Sequence, residues 1–350
     1  MKVKSSFGDY SVEVLETVEE LESRLSKHQF RGALLDSAIS EICWKNSDFL
    51  AGLAKLEINP SEEAKQYRQL ERVYDWMVDT KFDRKAELLA VGGGTVQDIA
   101  TFVSATFHRG ISWTFVPSTL LAQADSCIGG KCGINLQNQK NQVGLVYPPS
   151  RIFAPSSFLN SLAKTDLIAG MGEILKIAVT GRDQFWEEYQ DLTRNKTVGN
   201  LNYARLTALA LEAKRYVVEE DEMEMDFRRV LNYGHTLGHA LEAASDFSIP
   251  HGVAVILGIK AISHLGVYWK LTPETLAREV ISAADVLLDQ YEGPVDFDVD
   301  KTLSALSHDK KTIGGSALFI ILRGVGHHEF VSRSIDENLR RYVRAALHEL

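Results

Sequence analysis

The chain of 350 residues exceeds the usual span of one hydrophobic core, which predicts two domains or one large α/β unit with an added lobe. Its 45% apolar and 24% charged residues match a folded globular protein and exclude a disordered one. A balance of 38 Lys and Arg against 47 Asp and Glu leaves a net charge of −9, the wrong sign for a phosphate-backbone binder, so nucleic acid is not an expected partner.

The N-terminal stretch MKVKSSFGDYSVEV lacks the apolar segment of a signal peptide, and no export is expected. GALLD (32–36) reads as a strand, residues 61–80 as a charged helix and ELLAV (87–91) as a second strand, a βαβ order. ELLAV runs into Gly92-Gly93-Gly94, then into TVQDIATFVSATF with helical spacing, then into the strand ISWTFVP, so a glycine-rich strand-to-helix turn is predicted. From about Ala163 the period becomes helical, through LIAGMGEILKIAV, YARLTALALEAKRYVVEEDE, VLNYGHTLGHALEAA and HGVAVILGIKAISHLGVYW. The last of these is the greasiest stretch, but Lys260 and His264 interrupt it and no membrane span is predicted. ALFIIL (317–322) reads as a late strand, followed by an amphipathic helix from Ile335. Three cysteines, Cys43, Cys127 and Cys132, form neither a disulfide framework nor a CxxC pair, which fits a reducing cytoplasm.

Three groups of residues have the composition of a site. Without Cβ atoms, Gly92-Gly93-Gly94 lets backbone N–H groups and a helix N-terminus approach a pyrophosphate; the alternative is a tight turn and nothing more. His235 and His239, four apart on one helix face, are followed by His251, and Glu173 lies in an otherwise apolar helix with Lys176 one turn on; together these suit a divalent metal. Basic and amide residues recur at Arg109, Lys131, Lys140, Asn141, Lys214, Arg228, Asn232, Lys310 and Lys311, with Asp125 among them. If they converge they form a pocket for a small polyanion; if not they are solvated surface charges.

In these motifs the chain resembles the sugar phosphate cyclases, and most closely the 3-dehydroquinate synthases of the shikimate pathway. GGGTVQDIATFVSATFHRG, VPSTLLAQADSCIGGKCGIN with QKNQVG, GMGEILK, KRYVVEEDEMEMDFRRVLNYGHTLGHALEA, PHGVAV and HDKK follow the family's order over most of the chain. The resemblance implies an α/β Rossmann-like NAD-binding N-terminal domain (1–162), a mainly α-helical metal- and substrate-binding C-terminal domain (163–350) and an active site in the cleft between them. It also implies Zn²⁺, with Co²⁺ as a substitute, on Glu173, His235 and His251, which moves His239 to the substrate pocket.

Carried over by position, the NAD site is Asp36, Glu62, Lys65, Gly92, Gly93, Gly94, Asp98, Ser118, Thr119, Lys140, Phe158, Leu162 and Asp166. The substrate phosphate falls to Lys131, Asn141, Asn232, His239, Lys310 and Lys311, the carboxylate to Lys214 and Arg228, and the ring hydroxyls to Asp125 and Lys176. Arg109 of the HRG motif is expected to reach the neighbouring subunit of a homodimer. Ser118, Cys132, Gly172 and Val253 depart from the usual family residues. They keep open a specialised-metabolism relative, such as an aminodehydroquinate synthase or a sedoheptulose 7-phosphate cyclase.

The implied reaction converts 3-deoxy-D-arabino-heptulosonate 7-phosphate to 3-dehydroquinate and phosphate through transient oxidation by NAD⁺, β-elimination, hydride return and an intramolecular aldol closure. A second reading is an NAD- and metal-dependent polyol dehydrogenase, which has no need of a phosphate clamp. A silent NAD-binding scaffold is the third.

Overall fold

Short apolar runs bounded by glycine, proline or acidic residues become the strands of one sheet. The computed structural model describes residues 1–42, 48–137, 139–308 and 315–350, in two units. The first comprises residues 1–162, 203–211 and 215–223. Along it run β1 (Lys2–Val3), β2 (Tyr10–Leu15), α1 (Val18–Leu25), β3 (Gly32–Asp36), α2 (Ser37–Ile42), α3 (Asp48–Ala51), β4 (Ala54–Ile58), α4 (Leu70–Asp79), β5 (Glu87–Gly92), α5 (Gly94–Thr106), β6 (Ser112–Pro117), β7 (Lys131–Leu136), β8 (Gln139–Val146) and β9 (Arg151–Pro155).

Among the described residues the main sheet has the order β1-β2-β9-β6-β5-β3-β4, parallel throughout except for the β1/β2 pair. β3 and β5 are buried at every position, as continuous apolar strands of a parallel sheet covered on both faces should be. Leu35 pairs with Val91, so Asp36 and Gly92 end side by side. The next strand after β3 is β4, on its outer side, whereas β5 is followed by β6 on the other. That reversal opens a crevice at the carboxyl ends of β3 and β5, where open α/β sheets bind ligands.

The sequence pattern predicted one helix over 61–80, but the regular helix is only α4. Residues 62–65 and 67–69 are short 3₁₀ turns separated by an extended Gln66. Lys65 is buried there and paired with Asp98, a tertiary contact that outweighs helical periodicity. β4 and the β7/β8 hairpin lie outside the strands read from the sequence, and β8 is exposed over its first four residues with no alternation to betray it.

The second unit comprises residues 163–202, 212–214 and 224–350. It holds α6 (Lys164–Thr180), α7 (Asp183–Thr193), the middle of α8 (Tyr203–Glu220), α9 (His235–Ala244), α10 (His251–Tyr268), α11 (Glu274–Leu288), α12 (Val299–His308), the hairpin β10 (Ser316–Gly324) and β11 (His327–Ser334), and α13 (Glu337–Leu347). α10 is long and apolar enough to cross a membrane, yet most of it is buried against α6, α9, α11, α13 and β10, as a central core helix should be. Its one internal lysine, Lys260, is neutralised by Asp285 at 2.7 Å.

Glycines let the helices around α10 come close. A Cβ at Gly172 of α6 would lie 2.5 Å from the Gly252 carbonyl oxygen and 2.8 Å from Ile256, and a Cβ at Gly238 of α9 would lie 2.9 Å from the Ala254 carbonyl oxygen. Gly234, at the start of α9, has φ +79°, a conformation that costs glycine least. These approaches align the side chains of α6, α9 and the start of α10.

Candidate functional site

In the second unit Glu173 of α6 is only 2% exposed. Its Oε1 lies 3.2 Å from His251 Nε2 and 3.6 Å from His235 Nε2, while its Oε2 accepts from Lys176 Nζ at 2.6 Å. Burial alone would raise the Glu173 carboxyl, but Lys176 and His251 overcome it and hold the group well below the usual carboxylate range. His251 is opposed by burial too, yet Glu173 and Glu242 push it up to about 10. Carboxylates and cations thus hold one another in their charged forms, as in a tightly ion-paired cluster.

The side-chain nitrogens of His235, His239 and His251 lie within 4.8 Å of one another, with ring centroids 5.3 to 5.7 Å apart. Imidazole nitrogens gathered round a buried carboxylate are a donor set that fits a divalent ion such as Zn²⁺. The chain places all four groups together, including His239, which the spacing on α9 had already aligned with His235. The Nδ1 of His235 donates to the Tyr233 carbonyl at 3.3 Å, which turns its Nε2 toward Glu173.

Besides Lys260, the same unit buries Lys176, Lys214 and Arg228, which are 2%, 6% and 4% exposed. Asn232 donates to Glu224 Oε1 at 2.7 Å and to the Arg229 carbonyl at 3.2 Å. Asp166 is exposed in the first turn of α6. Lys310 and Lys311 lie outside the described residues.

In the first unit the glycine turn has the predicted form: β5 ends at Gly92, Gly93 is the N-cap and α5 starts at Gly94. No side chain caps α5, so its first N–H groups are left for a ligand. Each glycine has its own reason. A Cβ at Gly92 would strike Val96 at 2.6 Å and approach Asp36 at 3.1 Å, one at Gly93 would meet Thr119 at 3.1 Å, and one at Gly94 would enter open space. Asp36 is 6% exposed and burial raises its carboxyl, although it accepts the Ala38 N–H at 2.9 Å. Ser118 donates its N–H to the Gly92 carbonyl, which ties the end of β6 to the turn. A buried carboxylate beside an uncapped glycine-rich helix start fits a dinucleotide. Phe158 is fully buried and Leu162 half-buried at the end of this unit.

Glu62, Lys65, Asp98 and Asn141, expected to serve two different ligands, share one polar network. Lys65 Nζ lies 2.8 Å from Asp98, 3.6 Å from Glu62 and 3.0 Å from Asn141 Oδ1. Burial raises the Asp98 carboxyl and Lys65 opposes it. Asn135, 1% exposed, donates to Glu62 and accepts the Asn141 N–H. Lys140 is exposed beside Asn141 on β8, and Lys131 opens β7. Asp125 sits in a π-helical turn, Ala122–Ser126, a distortion common at functional positions. Gln97 and Ser126 clamp that turn to α5 through reciprocal bonds of 2.7 and 2.6 Å. Arg109 is exposed on a turn where His108, Arg109 and Gly110 all have positive φ.

Asn135, Gln97, Ser126, Glu224 and Glu242 were missed from the sequence. Only Glu242 carried a signal, being the one acid on the otherwise apolar α9 and seven residues beyond His235 on the same stripe.

A family model for the 3-dehydroquinate synthase N-terminal domain matches residues 55–169, and one for the C-terminal domain matches residues 170–312. A 3-dehydroquinate synthase of Acetivibrio thermocellus is 35% identical over 324 residues, covering 90% of this chain and 88% of its own. Another, from Rhodopirellula baltica, is 37% identical over 283 residues, covering 79% and 74%. Among solved structures, a 2-deoxy-scyllo-inosose synthase complexed with carbaglucose-6-phosphate, NAD⁺ and Co²⁺ superposes with a TM-score of 0.85 at 24% identity, over 100% of this chain and 99% of that one. A protein described as a probable glycerol dehydrogenase, from Sinorhizobium meliloti 1021, reaches only 0.58 at 14% identity, over 97% and 96%.

Proposed function

Because the chain belongs to the 3-dehydroquinate synthase family, we propose that it is a carbon–oxygen lyase that converts 3-deoxy-D-arabino-heptulosonate 7-phosphate to 3-dehydroquinate and inorganic phosphate. The observation that carries this reading beyond the family is the burial of Lys214 and Arg228 in the unit that holds the Glu173–histidine cluster. A polyol offers two such cations no anion, whereas a substrate with a carboxylate does.

Residues 1–162 form the NAD-binding domain and 163–350 the metal- and substrate-binding domain in this reading. Bound NAD⁺ supplies a reversible hydride acceptor, and a divalent metal on Glu173, His235 and His251 supplies Lewis acidity toward substrate hydroxyls. Asp36 accepts the adenosine ribose hydroxyls, and the uncapped start of α5 receives the pyrophosphate. Glu62, Lys65, Asp98, Ser118, Thr119, Lys140, Phe158, Leu162 and Asp166 complete the cofactor's surroundings. Lys176 holds the Glu173 carboxylate in one orientation and, with Asp125, meets the ring hydroxyls. Lys131, Asn141, Asn232, His239 and the Lys310–Lys311 pair grip the phosphate. Lys214 and Arg228 grip the carboxylate. The enzyme works in the cytoplasm as a homodimer in which Arg109 serves the partner's site.

A phosphate-release assay with the heptulosonate phosphate, its imino analogue and sedoheptulose 7-phosphate tests the substrate. The heptulosonate phosphate should turn over best. Sedoheptulose 7-phosphate should be poor by a factor of about 10⁴ in kcat/KM, because it leaves Lys214 and Arg228 without their carboxylate. Equal turnover of the two would refute the dehydroquinate synthase assignment and keep the wider cyclase family. Preference for the imino analogue would mark the specialised branch, and net NADH accumulation with a polyol would mark a dehydrogenase.

A further inference from the structure

His251 is the first residue of α10, and its ring lies between two carboxylates. Its Nε2 is 3.2 Å from Glu173 Oε1, on the side of the histidine cluster; its Nδ1 is 3.1 Å from Oε2 of Glu242. Glu242 comes from α9, where His235, His239 and Glu242 follow one another at intervals of four and three residues along one stripe. Its side chain is 14% exposed. A carboxylate oxygen can only accept, so Nδ1 donates to Glu242 and Nε2 to Glu173; a metal ion would take the place of the Nε2 proton, on the side of the cluster, while Glu242 keeps the proton on Nδ1. His235 obtains the same orientation from the Tyr233 backbone carbonyl. The two rings are thus aimed alike by unlike partners, one a neutral dipole and the other a full negative charge.

We propose that Glu242 is a positioning residue of the metal centre, holding the Nδ1 proton of His251 so that the ring offers Nε2 to the ion as a more basic ligand. The proposal rests on the reading that Glu173, His235 and His251 hold a divalent metal. Glu242 is not itself a ligand, since its oxygen faces the nitrogen directed away from the cluster. A charged acceptor strengthens the imidazole as a donor more than a carbonyl does, and such outer partners are typically worth a factor of about 10 to 100 in metal affinity. The alternative is a purely structural tie between the end of α9 and the start of α10. That tie would show in the fold of the metal-free protein and not selectively in its affinity for metal.

The test uses the full-length chain, stripped with a chelator and titrated with Co²⁺ while its visible absorption is followed, for the wild type, Glu242→Gln and Glu242→Ala. The wild type should take up one Co²⁺ per chain. Both variants should bind it about 10- to 100-fold more weakly, Ala more than Gln, with metal-free Tm and NAD⁺ affinity unchanged. Affinities within twofold of the wild type would overturn the proposal and leave the metal reading standing. Weakening that comes with an equal loss of metal-free Tm and of NAD⁺ affinity would overturn it in favour of the structural tie. A wild type that binds no Co²⁺ would sink the metal reading, and the proposal with it. Nitrogen-15 NMR of the zinc-loaded wild type is independent of any variant: a proton on His251 Nδ1 is expected, and one on Nε2 would refute the assignment.

Discussion

Asp36 closes a strand that is otherwise apolar, and burial raises its carboxyl above the ordinary range. A carboxylate whose folded pKa exceeds its unfolded value of ~3.9 favours folding fully only below that value, and the contribution is lost as pH rises through the folded pKa. At neutral pH the ionised Asp36 therefore costs stability, a cost that the proposed role toward ribose hydroxyls accounts for. Asp36→Asn keeps the oxygen that accepts from Ala38 and removes the charge. The cofactor-free variant should melt no lower than the wild type at pH 7.5, with any gap closing as pH falls toward 4, and should bind NAD⁺ about 10- to 100-fold more weakly by calorimetry, the worth of a hydrogen bond to a charged group. A lower Tm with unchanged NAD⁺ affinity would assign Asp36 a structural role alone. Cys132 has a thiol pushed up to about 12 by burial. It should stay unmodified by iodoacetamide at pH 8 in peptide mapping of the folded protein, because the thiol and not the thiolate is present.

Glycine has opposite meanings on two elements. On α6, a Cβ at Gly172 would crowd the Gly252 carbonyl and Ile256, so an alanine there needs a wider spacing of α6 and α10 than this chain has. Gly172→Ala should cost about 1–3 kcal/mol as overpacking and displace the adjacent Glu173, lowering both the Tm and the Co²⁺ affinity. At Gly94, by contrast, a Cβ meets nothing. Gly94→Ala should leave the cofactor-free Tm equal or higher, since Ala favours the helix by about 1 kcal/mol, yet weaken NAD⁺ binding. Calorimetry and thermal melts of the two variants separate the roles; a loss of Tm in Gly94→Ala would contradict the reading.

The same elements show what the sequence could disclose. GALLD, ELLAVG and the long helices were legible because one continuous apolar run or one helical period decided each. The glycine turn and the histidine stripe on α9 were legible for a similar reason, since their chemistry lies within a few residues. Residues 61–69 misled because the reward for Lys65 is Asp98, far along the chain. Asn135 and the Gln97–Ser126 clamp left no local trace, because their partners are 73 and 29 residues away.

At the scale of the whole molecule Arg109 is an exposed cation on a strained turn. His108 and Arg109 have φ of 50° and 68° and Gly110 has φ 123°, so two residues with side chains are held in the left-handed region. Such backbone costs on the order of 1–3 kcal/mol per residue and persists where surrounding contacts determine it. Here His108 Nε2 meets the Phe82 carbonyl, the Gly110 and Ile111 N–H groups return to Phe107 and Ser104, and Tyr147 donates to the Ile111 carbonyl. The result is a fixed turn that presents an exposed guanidinium. In the proposed homodimer that cation meets the phosphate bound by the partner, while Lys131 acts within its own subunit. Arg109→Ala and Lys131→Ala homodimers should each be nearly inactive. Mixed together, they form heterodimers in which one site carries both lesions and the other carries neither. With free exchange half of the dimers are mixed, and each has one intact site of two, so activity should return to about a quarter of wild type for a closed two-fold. If a fluorescence label shows that subunits have exchanged and activity stays at the level of the parents, Arg109 serves its own subunit or no site at all.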